Sequence, residues 1–264
     1  MITPSSILIL FCALLSVAYG QKISSHTAPQ DPFQSVAYPW KKNITATIFW
    51  IGEKPTPRNP TPNHASSWDT QWQKNFGGFD NPDKAARTYG YRPRAFTPKQ
   101  NPFYIALPYN DRINWRKHKP EASQVIPWFR KYQPKPGKTV CKGRWLQIVY
   151  KNKVCYAQWE DCGPFCTDDW KYVFGPNRPK NTENQSAGID VSPAVRDYLG
   201  IKSGAKVHWR FIDFDKVPHG AWSKYGDNNP FVNPAMDKDL TAKRRYMQYL
   251  REVRDNAYKK RASL

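Results

Sequence analysis

The chain has no long hydrophobic run after its first twenty residues, so no later segment is apolar enough to cross a membrane. The one apolar run, residues 7–17, is too short to span a bilayer and is followed by the small residues Ala18 and Gly20. This arrangement predicts a signal peptide over residues 1–20, although no Lys or Arg precedes the run. A buried N-terminal strand or helix is the alternative. We therefore expect an exported protein, either secreted or periplasmic.

Acidic residues are also scarce. The chain has 21 Asp and Glu against 41 Lys and Arg, which gives a formal net charge of +20, and none of this charge lies in residues 1–20. Such an excess favours a polyanionic partner. No nucleic-acid-binding motif is present, and an exported protein meets anionic envelope polymers instead. The alternative is a basic surface that only keeps the protein soluble. Nothing in the sequence indicates a cofactor.

Cysteines are few, and no CxxC pair occurs among them, which disfavours a zinc site. Apart from Cys12, the chain contains Cys141, Cys155, Cys162 and Cys166. An even number of cysteines in an exported chain predicts disulfides, and the sequence leaves all three pairings open. A hairpin turning at Lys151 and Asn152 would place Cys141 opposite Cys162 if both strands extend that far.

Short strands dominate the predicted secondary structure. The segments rich in β-branched and aromatic residues are 43–51, 103–107, 144–150, 153–159 and 205–213. Residues 144–159 predict a β-hairpin across Lys151 and Asn152. Residues 192–199 predict a short helix, because Ser192 can cap its start and Gly200 can end it.

Two acidic motifs resemble those of the double-psi β-barrel domain shared by rare lipoprotein A and the expansins. In residues 156–165 (YAQWEDCGPF), Asp161 stands before a Gly-Pro turn, and residues 187–200 (AGIDVSPAVRDYLG) contain Asp190 in an Ile-Asp-hydrophobic-Ser pattern that leads into the short helix. Weaker likenesses are Ala46-Thr47, residues 103–108 and residues 207–210. The resemblance covers roughly residues 44–51 and 103–214.

This resemblance implies an all-β core, a six-stranded double-psi β-barrel with long irregular insertions and a C-terminal helix. After a flexible leader over residues 21–42, the barrel domain would occupy residues 43–216, with insertions at 52–100 and 109–139, followed by a C-terminal extension over 217–264. The resemblance also implies that Asp161 and Asp190 lie close together beside a surface groove.

The residues themselves support a site at these two acids. Asp161 follows an aromatic strand, and Asp190 lies between Ile189 and Val191, so it is expected to be partly buried. Burial and a second nearby carboxylate both raise the proton affinity of a carboxyl group, which suits it to protonate a glycosidic oxygen. The alternative for Asp190 is a structural role, capping the helix or bracing a loop.

The candidate substrate-binding residues are Thr47, Tyr104, Trp50 and Trp170. Tyr104 stands where the peptidoglycan-cleaving members of the resembled family carry a histidine, and expansins lack that histidine too. The chain has eleven tryptophans, and a flat ring with a polar edge suits a sugar face. Trp145, Trp159 and Trp209 are assigned to the core, whereas Trp50, Trp68, Trp170 and Trp222 are candidates for a groove wall.

The C-terminal extension predicts a helix from about Asn233 to about Lys260. Its apolar side would contain Leu240, Met247, Leu250 and Val253, and its other side is basic. Two interpretations stay open. The apolar stripe either packs on the barrel domain and leaves the basic side solvated, or the helix contacts an anionic surface.

These features lead to two hypotheses of function. The first is an exported protein that binds or remodels a cell-wall polysaccharide such as peptidoglycan. Its enzymatic form would be lytic transglycosylase-like, with Asp190 protonating the leaving oxygen and Asp161 orienting or stabilising. The second is a non-catalytic envelope adaptor that binds anionic polymers through its basic surface.

Overall fold

Six β-strands close into a barrel in the computed structural model, which describes residues 37–57 and 59–262. The strands are β1 (Lys41–Ile48), β2 (Tyr104–Leu107), β3 (Arg144–Tyr150), β4 (Lys153–Cys162), β5 (Ala187–Val191) and β6 (Ala205–Ile212). Their order around the barrel is β1-β5-β2-β4-β3-β6. The β1–β5 and β2–β4 pairs are parallel and the other pairs are antiparallel. The prediction of a closed six-stranded barrel is confirmed.

The predicted signal peptide and residues 21–36 of the predicted leader lie outside the described residues. β1 begins at Lys41, two residues before the predicted start of the barrel domain. All the described residues belong to one structural unit. Among them, no helix combines the length and the apolar character that a membrane span requires.

The shortest strand, β2, is buried on both faces. Ile105 and Leu107 belong to the main hydrophobic core, whereas Tyr104 and Ala106 belong to a second cluster. The other members of this second cluster are Phe49, Ile51, Trp72 and Phe76. Because Trp72 and Phe76 come from the 52–100 insertion, this insertion acts as a lid that covers the outer face of β2.

β3 and β4 form the predicted hairpin across Lys151 and Asn152, with Lys151 at a positive φ of 52°. The pairing of the two strands begins at Arg144, so the ladder does not extend back to Cys141. Each of the four described cysteines is a free thiol in this structure, and no disulfide links them. The three disulfide pairings that the sequence leaves open stay predictions.

The described residues also form seven α-helices, six of them with seven residues or fewer. They are α1 (Trp72–Phe76), α2 (Ala122–Val125), α3 (Phe129–Tyr132), α4 (Trp170–Val173), α5 (Glu183–Ser186), α6 (Pro193–Leu199) and α7 (Lys238–Ala262). Four 3-10 turns occupy Lys84–Ala86, Phe214–Lys216, Ala221–Ser223 and Pro234–Met236. α6 is the helix that the sequence predicts: Ser192 Oγ accepts a hydrogen bond from the Val195 amide (3.3 Å), and Gly200 ends the helix with a φ of 73°.

α7 is packed on the body of the protein only over its first turns. Ala242 is buried and Tyr246 is half-buried, but every side chain from Met247 to Lys260 is exposed. The interpretation in which the apolar stripe packs on the barrel domain therefore holds only for the start of the helix.

One buried arginine ties the barrel to α3 and α7. Arg144, the first residue of β3, pairs through Nη2 with Asp213 Oδ1 (2.6 Å) and donates through Nη1 to the Tyr132 hydroxyl (2.8 Å). Its guanidinium lies 4.3 Å from the centre of the Trp128 ring. Its Nη1 atom lies 3.6 Å from Oδ2 of Asp239, at the start of α7. The guanidinium group can bond to several of these partners at once because it is planar and presents its N–H donors in a fixed geometry.

We expect Arg144→Met to lower the free energy of unfolding by about 3–5 kcal/mol, because it leaves Asp213 without its buried counter-charge. Arg144→Lys should restore little of this loss, since an ammonium group cannot reproduce the fork. The control is Arg254→Met, whose ion pair with Asp255 is exposed and should matter by less than about 1 kcal/mol. Urea denaturation measures all three, and equal effects at Arg144 and Arg254 would contradict the assignment.

Candidate functional site

One row of four residues crosses four neighbouring strands. Thr47 of β1 pairs with Asp190 of β5, which pairs with Ala106 of β2, which pairs with Asp161 of β4. Residues that lie directly opposite each other on adjacent strands project from the same face of a sheet. The two acids are two strand spacings apart, roughly 10 Å between backbones, and only the methyl group of Ala106 lies between them. The structure thus brings Asp161, Asp190 and Thr47 together.

A β-bulge in β4 directs Asp161 to this face. Ile105 pairs with Trp159, and the next residue of β2, Ala106, pairs with Asp161, so β4 contains one extra residue at Glu160. In a regular strand without this bulge, strict alternation would place Asp161 on the same side as Trp159, which lies in the main core. Bulges commonly re-aim a side chain in this way beside functional sites.

Three members of the row, Asp190, Ala106 and Asp161, form the floor of a groove of about 380 Å³. One part of its wall is residues 59–67 of the 52–100 insertion, and another part is residues 162–165 at the end of β4. Phe165 in the second part is half exposed. This volume falls within the range of ordinary small-molecule sites.

Asp161 is held in place by backbone donors. Its Oδ1 accepts hydrogen bonds from the Ser67 and Cys162 amides, each at 2.7 Å, and the carboxyl group is buried. The Trp159 indole donates to the Asp161 carbonyl oxygen (2.7 Å) and fixes the backbone beneath it. Burial raises the pKa of Asp161, and the two amide donors oppose that rise. The carboxyl is therefore fixed in orientation by the insertion as well as by its own strand.

Asp190 has a strongly raised pKa of about 7. Burial is the main cause, and the carboxylates of Asp161 and Glu53 raise it further, while the hydrogen bond that Thr47 Oγ1 donates to Asp190 Oδ1 lowers it. Gly163 leaves the carboxyl its space, since a Cβ at that position would lie 3.3 Å from Asp190 Oδ2. Near neutral pH, Asp190 can both donate and accept a proton, as a general acid or base requires.

None of the four candidate substrate-binding residues lines the groove itself. Tyr104 is on the same face of β2 as Ala106, but α1 covers it, and its hydroxyl donates to Asp80 Oδ2 (2.8 Å) and accepts from the Ile51 amide (3.0 Å). Trp50 and Trp170 are half-buried, and neither lines the groove. Among the four, only Thr47 contacts an acid of the row.

The insertion contributes residues to the site that the sequence did not predict. Ser67 supplies a backbone donor to Asp161, Glu53 acts on the pKa of Asp190, and His64 brings an exposed imidazole to the groove wall. The His64 backbone is anchored, because its carbonyl accepts from the Gln73 amide in α1 (3.0 Å). Residues 53–62 are rich in proline and have no periodic pattern, so nothing local indicates which surface they cover.

We expect Asp190→Asn to stabilise the protein above pH 7 and to have little effect near pH 4. The folded state keeps a proton on Asp190 up to about pH 7, whereas an unfolded aspartate releases it near pH 4, so folding is penalised increasingly between these values. The gain at pH 8 should be on the order of a few kcal/mol. Thermal unfolding at pH 4, 6 and 8 measures it. Asp215→Asn, at an exposed acid, is the control, and a pH-independent effect of Asp190→Asn would contradict the raised pKa.

Comparisons with known proteins do not extend these observations. No protein family model, no curated protein and no solved structure matches the chain.

Proposed function

We propose that the groove binds a cell-wall polysaccharide of the peptidoglycan type, and that the protein is an exported double-psi barrel related to rare lipoprotein A and the expansins. The closed six-stranded mixed barrel is compatible with the double-psi arrangement. The resemblance also points to Asp161 and Asp190, which belong to two separate sequence motifs. These two acids lie in one row across the sheet and line the same groove. The net charge of +20 suits an anionic wall polymer.

The observation that carries the proposal is the unequal environment of the two carboxyl groups. Burial raises the pKa of both carboxyl groups, but Asp161 accepts two amide hydrogen bonds that favour its charged form, whereas Asp190 has a pKa of about 7. Two carboxyl groups with different proton affinities provide one proton donor and one negative charge in the same groove. This is the pair that cleavage of a glycosidic bond requires.

In the enzymatic form, a glycan strand lies across the row with its scissile oxygen against Asp190. Asp190 protonates this oxygen as the bond to the anomeric carbon breaks, and Asp161 stabilises the positive charge that develops on the sugar ring. A hydroxyl group of the same sugar then attacks the anomeric carbon and releases its proton to the Asp190 carboxylate. An intramolecular anhydro bond forms, and no water is consumed. In the non-enzymatic form, the same groove holds the strand without cleavage.

The test is incubation of the purified protein with peptidoglycan, followed by mass spectrometry of the soluble fragments. The enzymatic form should release fragments that end in an anhydro sugar, and Asp190→Asn should lower the rate at least about a hundredfold, the usual worth of a general acid. Asp168→Asn is a matched control, because Asp168 is exposed and does not line the groove.

Retention on insoluble peptidoglycan distinguishes the non-enzymatic form. If no fragment is released but the protein is retained, the double variant Asp161→Asn, Asp190→Asn should weaken retention while Asp168→Asn does not. Unchanged cleavage and unchanged retention in the double variant would refute the assignment of the groove as the glycan site.

A further inference from the structure

α7 has an apolar side that begins in the body of the protein and continues beyond it. Ala242 is buried, and residues seven, eight and eleven positions later fall on the same side of an α-helix. Those residues are Tyr249, Leu250 and Val253, which are 58%, 41% and 47% exposed. The helix is 25 residues long, about 38 Å. Its outer part therefore exposes an apolar stripe to solvent, which we call the α7 stripe (Tyr249, Leu250 and Val253).

The exposed part of α7 also carries cations. Arg251, Arg254 and Lys259 belong to the exposed part of the helix, where the acidic residues are Glu252 and Asp255. Arg254 lies one turn from Leu250, close enough for its aliphatic stem to extend along the stripe while its guanidinium stays in water. The segment thus has an apolar stripe with Arg254 at its edge, and Arg251 and Lys259 on other sides of the same helix.

The charge decides between the possible occupants of this surface. A second copy of the helix would place like charges against each other, in a chain that already carries a net charge of +20. A soluble polyanion would neutralise the cations but leave Tyr249, Leu250 and Val253 in water. An anionic lipid surface accepts both, since its headgroups attract Lys and Arg and its interface takes up apolar and tyrosine side chains.

We propose that the outer part of α7 lies on an anionic lipid surface. Tyr249, Leu250 and Val253 enter the boundary between headgroups and acyl chains, Arg254 contacts the anionic headgroups at the edge of the stripe, and Arg251 and Lys259 are attracted to the negative surface at longer range. The helix stays parallel to the surface and does not cross it, and it holds the barrel and its groove beside the membrane. This attachment is separate from the groove, because neither Asp161 nor Asp190 takes part in it.

The test is sedimentation of the full chain with vesicles of phosphatidylcholine alone or mixed with phosphatidylglycerol. We expect at least tenfold stronger binding to the anionic vesicles, with binding that weakens as salt is added. Tyr249→Ser, Leu250→Ser, Val253→Ser together should reduce binding at least tenfold without changing the net charge. Arg251→Gln, Arg254→Gln, Lys259→Gln together should reduce it about a hundredfold, at about fivefold for each cation.

A matched control removes the same charge elsewhere. Lys151→Gln, Lys202→Gln, Lys224→Gln together change three exposed lysines outside α7 and should leave vesicle binding within about threefold of wild type if the effect is local to the helix. The Tm of each variant should stay close to that of wild type, because all the altered side chains are exposed.

Three results would overturn the proposal. Equal binding to neutral and anionic vesicles, or binding to neither, would remove the role of anionic headgroups. Full binding by the serine variant would show that charge alone acts and that the stripe is not used. A concentration-dependent dimer in solution that the serine variant abolishes would assign the stripe to a second copy of the chain.

Discussion

The geometry of the groove depends on one extra residue in β4. Because Glu160 forms a bulge, Asp161 projects from the outer face of the barrel instead of toward the core that contains Trp159. From that position it faces Asp190 across Ala106, whose single methyl group is small enough to keep the floor of the groove open. A longer side chain at Ala106 would fill the space between the two carboxyl groups and close the floor of the groove.

Barrel and insertion supply different parts of the site. The strands fix the spacing of Thr47, Asp190 and Asp161, whereas the 52–100 insertion desolvates the row and contributes the Ser67 amide that orients Asp161. Hydrophobic burial makes this cover stable, since Trp72 and Phe76 of α1 pack on Tyr104. The same packing explains why Tyr104 is unavailable to a ligand. An aromatic ring that anchors the cover cannot also serve as a binding surface.

Individual strands and α6 could be predicted from the sequence because they depend on local signals, whereas the closed barrel and the proximity of Asp161 and Asp190 were expected from the resemblance alone. The β3–β4 hairpin is marked by two strands across Lys151 and Asn152, and α6 by Ser192 and Gly200. The groove wall could not be predicted, since residues 59–67 pair with no strand and their position is set by long-range packing. The bulge in β4 could not be predicted either, because regular alternation of side chains along the strand would place Asp161 toward the core. The exposure of α7 beyond Tyr246 could not be predicted, because it depends on how far the rest of the protein extends along the helix, and local sequence does not indicate this.

The central claim is that Asp161 and Asp190 form an unequal pair, in which Asp190 keeps its proton close to neutral pH. Carbon-detected NMR titration of the aspartate carboxyl groups between pH 3 and 9 tests it most directly. We expect one carboxyl with a pKa of about 7 that disappears in Asp190→Asn and moves to a lower pKa in Asp161→Asn, where the neighbouring charge is gone. A set of aspartates that all titrate below about pH 5, near their ordinary values, would contradict the account.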